Sequence, residues 1–139
     1  QGFQVMLCIG ETKEEREAGK TDDVLKRQLS IALSDSRSVN TKLDQLVIAY
    51  EPVWAIGTGI NATAQAVEAT HLSIRLILAS LYNEEIAKKI PVIYGGSVKP
   101  VNASAYIDEP NIDGLLVGGA SLDLDTFDQI VNYQHHANT

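Results

Sequence analysis

Four short apolar runs divide the chain at regular intervals. They cover residues 5–9 (VMLCI), 46–50 (LVIAY), 90–94 (IPVIY) and 115–117 (LLV). Each run is continuous rather than alternating, which is typical of parallel strands buried on both faces. Each is followed by a turn of small or acidic residues, namely GET, EPVWAIGTG, GGS and GGAS. The runs therefore predict four strands of a parallel sheet.

Helical patterns fill the intervals between these runs. Thr12 and Glu15 have the spacing of a capping box, which predicts a short charged helix that stops near Gly19. The order of the elements predicts an α/β fold with right-handed crossovers, and no linker divides it, so we expect one domain over residues 1–139. Four further residues are predicted to open helices as N-caps: Thr21, Thr63, Asn102 and Asp123.

Composition and charge narrow the function classes. The chain has 139 residues, of which 45% are hydrophobic and 21% charged, as in an ordinary soluble domain. Its net charge of −7 argues against nucleic acid or an acidic membrane surface as a partner. No apolar stretch approaches the roughly 20 residues of a membrane span. Because the net charge repels anions, an anionic ligand would need local backbone donors to bind.

The single cysteine and the first residues carry two further expectations. Cys8 excludes an internal disulfide framework and suits a reducing compartment, so we expect a cytoplasmic protein. Its apolar neighbours predict that Cys8 lies in the core. The chain begins in a strand-like run without an initiating Met, so we expect it to be a fragment of a longer protein.

Glu51 is the main candidate for a catalytic residue. It follows the second apolar run directly, and Pro52 restricts it to an extended conformation. A carboxylate beside apolar walls is more basic than one in water, which suits a general base. A solvated acid at a strand end, or one held in a structural ion pair, would fit the same spacing.

The glycine turns after the third and fourth runs suggest phosphate binding. Gly95-Gly96-Ser97 and Gly118-Gly119 would let backbone amides approach an anion, although glycines after strands also serve as plain turn residues. The GTG of residues 57–59 lacks the third glycine of a dinucleotide fingerprint.

The histidines give no sign of a metal site. His71 lies mid-helix and is expected to be packed or on the surface, while His135 and His136 lack Cys or acidic partners at metal-ligand spacing. We therefore expect no metal and no cofactor.

Four stretches resemble the triosephosphate isomerase family: CIGETKEEREAGKT (8–21), AYEPVWAIGTG (49–59), YGGSVKP (94–100) and DGLLVGGASL (113–122). They occur in order and cover essentially the whole chain, and AYEPVWAIGTG is highly specific. The resemblance implies a (β/α)8 TIM barrel, of which this chain would be the C-terminal (β/α)4 half, strands five to eight. It also implies interconversion of dihydroxyacetone phosphate and D-glyceraldehyde 3-phosphate, a step of glycolysis and gluconeogenesis.

The resemblance further implies roles for individual residues. Glu51 matches the family's general base, which moves a proton between adjacent carbons through an enediolate. Tyr94 matches the residue whose hydroxyl steadies the closed lid, and Glu11 matches a partner of the lid tryptophan. The phosphate-contacting positions match Gly57, Ser97, Gly118 and Gly119. The mobile lid matches Pro52, Val53, Trp54, Ala55, Ile56, Gly57, Thr58 and Gly59.

The chain departs from the family pattern at the end of the lid. Ile60-Asn61-Ala62 stands where a polar triplet such as Lys-Thr-Ala is usual. Ile60 is apolar and stiff at χ1, so we expect altered hinge motion.

The other departure concerns residues outside the matching half. The family's asparagine and lysine after the first strand, and its electrophilic histidine after the fourth, have no counterpart here. We therefore expect that this chain alone is not an efficient isomerase, whereas the full-length protein would be a homodimer. The open edges of a half-barrel would favour association with the missing half or with a second copy. A non-catalytic, phosphate-binding half-barrel module is the alternative.

Overall fold

The computed structural model describes residues 3–34, 43–58 and 60–133. Its centre is a four-stranded parallel sheet in the order β1-β2-β3-β4, so the predicted α/β class is confirmed. The strands are β1 (Val5–Ile9), β2 (Leu46–Tyr50), β3 (Val92–Tyr94) and β4 (Gly114–Leu115).

The last two strands differ from the apolar runs that predicted them. β3 begins two residues later because Ile90 ends the preceding helix, with its amide donating to the Ile86 carbonyl at 3.2 Å. Pro91 has no amide hydrogen to continue a ladder. β4 begins one residue earlier than predicted and stops at Leu115, because its partner β3 already ends at Tyr94.

The helices are α1 (Lys13–Glu17), α2 (Thr21–Ala32), α3 (Ala64–Leu81), α4 (Glu84–Lys89), α5 (Pro100–Ile107) and α6 (Leu124–Val131). α1 and α2 connect β1 to β2, and α3 and α4 connect β2 to β3. α5 lies between β3 and β4, and α6 follows β4. No helix in the described ranges is long and apolar enough to cross a membrane.

Three of the predicted helix starts are confirmed. Thr12 and Glu15 form both halves of the capping box at α1. Thr63 accepts a hydrogen bond from the Ala66 amide at 3.2 Å, and Asp123 accepts one from the Thr126 amide at 2.8 Å. These caps act within one turn of the chain, so a local pattern is enough to predict them.

Two predicted caps are wrong, and one helix was missed. Thr21 is the first helical residue of α2, with Lys20 at the cap position. Asn102 lies inside α5, which begins at Pro100, since proline is favoured at the first helical position. α4 was not predicted, although Asn83 caps it through a 2.9 Å bond from the Ile86 amide.

The core lies between the sheet and the helices. β2 and β3 contribute Ile48, Tyr50, Val92 and Tyr94, all almost fully buried. α2 and α3 cover them with Leu25, Leu29, Val67, Ile74 and Leu78, which are equally buried.

The first strand contradicts the prediction of burial on both faces. Val5 is 52% exposed and Met6 is 47% exposed. Cys8 is exposed too, so its predicted place in the core is wrong. The reason is topological, because β1 stands at the edge of the described sheet and pairs only with β2.

The register brings the ends of the strands to one level. Ile9 pairs with Tyr50, Tyr50 with Tyr94, and Tyr94 with Leu115. The four turns that follow these residues therefore meet at the carboxyl edge of the sheet, where ligands bind in parallel α/β folds.

Candidate active site

Glu51 stands at the centre of this edge, immediately after β2. Its amide donates to the Ile9 carbonyl at 2.7 Å, which extends the ladder by one residue and fixes the backbone. Its half-buried side chain lies against Gly95, where an added Cβ would stand 2.7 Å from Cγ and 2.9 Å from Oε1. Gly95 is therefore required because any larger residue would displace the carboxylate.

A cavity of about 780 Å³ opens beside Glu51. Its lining includes every predicted phosphate-contacting residue, namely Gly57, Ser97, Gly118 and Gly119. A Cβ added to Gly118 or Gly119 would meet no other atom within 4 Å, so the backbone of both residues is open to a ligand. Gly119 also begins a 3₁₀ turn, Gly119–Leu122, and amides at such a start lack partners within the turn.

The cavity also contains residues that the sequence did not single out. Lys99, which precedes α5, is the only cation among the described lining residues. Thr126 and Gln129 reach the cavity from α6, three residues apart and hence on one helical face. Lys99 offsets the net charge of −7 locally, which favours an anionic ligand. In the sequence, the position of Lys99 directly after Gly-Gly-Ser-Val indicates a site residue, whereas no local pattern marks Thr126 or Gln129 as one.

Cys8 approaches the same carboxylate from β1. Partial desolvation of this mostly exposed thiol raises the pKa of Cys8, and the charge of Glu51 raises that pKa further. The thiol therefore stays protonated at neutral pH and adds no second negative charge beside the acid.

Glu11 follows β1, and its carboxylate is fully buried. It accepts hydrogen bonds from the Tyr50 hydroxyl at 3.0 Å, the Trp54 Nε1 at 3.2 Å and an Arg16 guanidinium nitrogen at 2.9 Å. The structure thus brings the residue predicted as the lid partner into direct contact with the tryptophan.

The predicted lid begins as a short turn over this acid. Pro52 and Ala55 are buried, whereas Val53 and Ile56 are half exposed and Trp54 lies between these extremes. Residues Val53–Ala55 form a 3₁₀ turn.

The second part of the predicted lid is more exposed. Gly57 has φ of +68°, a left-handed conformation that favours glycine. The Thr58 hydroxyl donates to the Trp54 carbonyl at 2.8 Å and accepts from the Ile60 amide at 3.2 Å. Gly59, the last predicted lid residue, lies outside the described residues.

Tyr94 is buried at the end of β3, near the backbone of Ala62, which follows the predicted lid. Its ring packs on Tyr106 with centroids 4.5 Å apart, and its hydroxyl lies against Gly96 without a hydrogen-bond partner among the described residues. Burial and Tyr106 raise the pKa of the Tyr94 phenol, while the neighbouring Ala62 backbone opposes that rise. The Tyr94 hydroxyl therefore lies near the Ala62 backbone without a hydrogen bond to it.

His71, the one histidine among the described residues, does not join the site. His71 is buried in α3, and its Nδ1 lies 3.0 Å from the Asn111 carbonyl. His135 and His136 lie outside the described residues. Within the described ranges, no group of three or more His, Cys, Asp or Glu side chains could hold a metal ion.

Comparison with known proteins identifies the family. The family profile for triosephosphate isomerase matches residues 1–134. The triosephosphate isomerase of Chlorobium phaeobacteroides is 52% identical over 131 residues, which are 94% of this chain and 51% of that protein. That of Geobacter metallireducens is 49% identical over 133 residues, 96% of this chain and 52% of that protein. The chain thus spans about half the length of these curated relatives, and with this match over nearly all of its residues it belongs to the triosephosphate isomerase family.

Proposed function

We propose that this chain provides strands five to eight of a (β/α)8 barrel that interconverts dihydroxyacetone phosphate and D-glyceraldehyde 3-phosphate. Residues 1–139 would form one partial domain of that barrel. The observation that carries the proposal is that Glu51 lines the same cavity as Gly57, Ser97, Gly118 and Gly119. A base and a set of backbone donors on one side of the sheet match the two halves of the substrate, a carbon acid and a phosphate.

The chemistry that we assign to Glu51 is a proton transfer between adjacent carbons. The carboxylate removes a proton from the carbon next to the carbonyl, and the electron pair passes to the carbonyl oxygen to form an enediolate. A proton then passes from the hydroxyl on the deprotonated carbon to the enediolate oxygen, and return of the abstracted proton to the neighbouring carbon yields the isomer, so no oxidant, reductant or cofactor is consumed. Meanwhile backbone amides hold the phosphate, and residues 52–59 exclude water that would promote side reactions of the intermediate.

We also propose that the 139-residue chain alone is not an efficient isomerase. Enediolate formation requires a donor or cation that stabilises the charge developing on the carbonyl oxygen. The described residues that line the cavity include no histidine, and Lys99, their only cation, is exposed. The chain covers only about half the length of its relatives, which supports the view that the other half supplies the donor or cation for the carbonyl oxygen.

The partners and the compartment that we propose follow the family. The substrate is a phosphorylated triose, the full-length protein is a homodimer in the cytoplasm, and neither nucleic acid nor membrane is a partner. The net charge of −7 supports the exclusion of nucleic acid and acidic lipid surfaces. Ile60, which is 52% exposed at the end of the lid, stiffens the hinge in this proposal.

The decisive experiment is isomerase activity on D-glyceraldehyde 3-phosphate, with material whose intact mass has been checked. The chain is assayed alone and after mixing with the N-terminal half of the Chlorobium phaeobacteroides relative. We expect negligible turnover alone and measurable turnover in the mixture. Glu51→Gln is expected to lower that turnover by about a thousandfold, the usual worth of a general base. The control Glu17→Gln, in an exposed acid of α1, should leave it unchanged.

Three other results of this assay would contradict parts of the proposal. Glu51-dependent turnover by the chain alone would refute its proposed incompleteness. Full activity of Glu51→Gln in the mixture would refute the role of this acid. A mixture that binds glycerol 3-phosphate without turnover would favour the phosphate-binding module instead.

A further inference from the structure

Arg16 lies outside the cavity, yet two contacts connect it to the lid. One of its guanidinium nitrogens donates to Oε1 of Glu11 at 2.9 Å. Its guanidinium carbon also lies 5.0 Å from the centroid of the Trp54 ring. Trp54 in turn donates its Nε1 hydrogen to the same Glu11 oxygen at 3.2 Å. Cation, ring and carboxylate thus form a closed triangle.

The triangle rests on a carboxylate that needs compensation. Glu11 is fully buried, and a buried carboxylate is strongly disfavoured unless it is paired and hydrogen-bonded. Tyr50 and Trp54 give it neutral donors, whereas Arg16 is its one salt-bridge partner among the described residues. Arg16 therefore supplies the one charged donor to the carboxylate that also accepts the Trp54 hydrogen.

Arg16 is well placed to hold this geometry because its own position is fixed independently of the lid. It lies on α1, whose start is secured by the capping box of Thr12 and Glu15. Its amide donates to the Thr12 carbonyl at 3.0 Å. Arg16 itself is only one-third exposed, so the guanidinium acts at a sheltered site where cation–ring attraction is stronger than in water.

We propose that Arg16 is a positioning residue of the lid, which seats Trp54 against Glu11 and so stabilises the lid conformation of this structure. Part of its effect is the attraction between the guanidinium and the indole ring, and part is the charge-assisted bond that Arg16 preserves between Trp54 and Glu11. Both parts stabilise the same position of the Trp54 ring, so loss of the guanidinium releases Trp54. The inference rests on the proposed function, in which this segment moves over a bound phosphate.

The test uses the fluorescence of Trp54, the only tryptophan of the 139 residues. Acrylamide quenching of the chain measures the accessible population of the indole ring without any need for turnover. Arg16→Met keeps most of the apolar stem but removes the charge and the planar group. We expect it to raise the accessible population of Trp54 about two- to fivefold, the size expected for one cation–ring contact. Far-UV circular dichroism should stay unchanged.

Arg27→Met is the matched control. Arg27 is an exposed arginine of α2 whose contact with Glu15, at 3.7 Å, belongs to the same region but does not reach Trp54. Quenching as in the wild type is expected for this variant. Unchanged or lower quenching in a folded Arg16→Met would overturn the proposal.

Arg16→Lys decides the question if Arg16→Met fails to fold. It keeps a cation near Glu11 but loses the planar guanidinium, so an increase in quenching smaller than that of Arg16→Met is expected. Quenching equal to that of the wild type would overturn the assignment.

Titration with glycerol 3-phosphate separates this inference from the proposed function. In the wild type we expect the ligand to change Trp54 quenching, because the lid moves when the cavity fills. In Arg16→Met the ligand-induced change should shrink, since the ring is already released. A wild type that does not respond to the ligand would count against the proposed lid, whereas the difference between the variants without ligand would still report on Arg16.

Discussion

At the scale of single residues, the environment of a side chain decides its chemistry. His71 and Glu51 both lie close to Tyr50, yet Glu51 lines the cavity while His71 is fully buried. The Asn111 carbonyl can only accept, so the His71 Nδ1 carries the hydrogen of that bond. Its Nε2 is then a buried acceptor with no partner among the described residues. Protonation of Nε2 would place an unpaired positive charge in the core, which is unfavourable.

This environment predicts a pH dependence of stability. Burial lowers the pKa of His71 from 6.5 to about 4. Between these values the unfolded chain binds a proton that the folded chain does not, so the free energy of unfolding falls as the pH falls through this window. The full effect is about 3 kcal/mol. Urea denaturation at pH 7 and pH 4.5 measures most of it.

The matched variant for this measurement is His71→Gln, which keeps a donor for the Asn111 carbonyl but does not titrate. We expect it to lose this part of the pH dependence, while the contribution of the carboxylates remains. An identical loss of stability in both proteins between pH 7 and pH 4.5 would contradict the assignment to His71.

At the scale of elements, α3 organises the fold around the site. Its buried stripe of Val67, Ile74 and Leu78 packs on the sheet. From the same helix Arg75 donates to the Ile90 carbonyl at 3.2 Å and pairs with Asp113, whose carboxylate accepts from the Val92 amide at 2.7 Å. The start of β3 is thereby tied to α3, and this tie positions the glycine turn at the other end of the strand.

The packing of α3 predicts unequal effects of the same substitution on its two faces. Leu78 is fully buried, whereas Leu76 is 64% exposed. Leu78→Ala should lower the free energy of unfolding by about 3 kcal/mol, from lost burial and the cavity left behind. Leu76→Ala should change it by less than about 0.5 kcal/mol. Urea denaturation of both variants measures the difference, and equal losses would show that α3 does not pack as described.

At the scale of the whole molecule, the sheet leaves apolar surface uncovered at both ends. β1 exposes Val5 and Met6 at its edge. Beyond β4, the outer side of α6 exposes Leu124, by 81%, and Val131. An unpaired strand edge with apolar side chains is a ready site for association with another strand. These surfaces are where we expect a complementary half-barrel or a second copy to bind.

The expected consequence is concentration-dependent association of the isolated chain, measured by sedimentation velocity. Met6→Lys places a charge on the β1 edge and should weaken association about tenfold, since burying an unpaired lysine is costly. Leu76→Lys, on an exposed apolar position of α3, serves as the control and should have no effect. A wild type that stays monomeric at all concentrations would refute the prediction, and equal effects of both variants would exclude β1 as the contact.

The primary sequence was sufficient wherever the interactions are local. Strands β1 and β2 follow from their apolar runs, and Thr12, Thr63 and Asp123 mark helix starts through bonds that span three residues. The stretches around Glu51 and Gly95 were also sufficient to identify the family, because they are long and specific. Local chemistry was ambiguous at Thr21 and Asn102, where a capping residue type lies just inside the helix rather than before it.

Only the folded chain revealed what depends on distant neighbours. Cys8 looked like a core residue in its apolar run, but the sheet order leaves its strand at an edge. Thr126 and Gln129 reach a cavity whose acid lies more than seventy residues earlier in the chain. Trp54 meets Arg16 through a carboxylate that follows another strand. Such contacts are set by the register and packing of whole elements, and no pattern within a single segment contains that information.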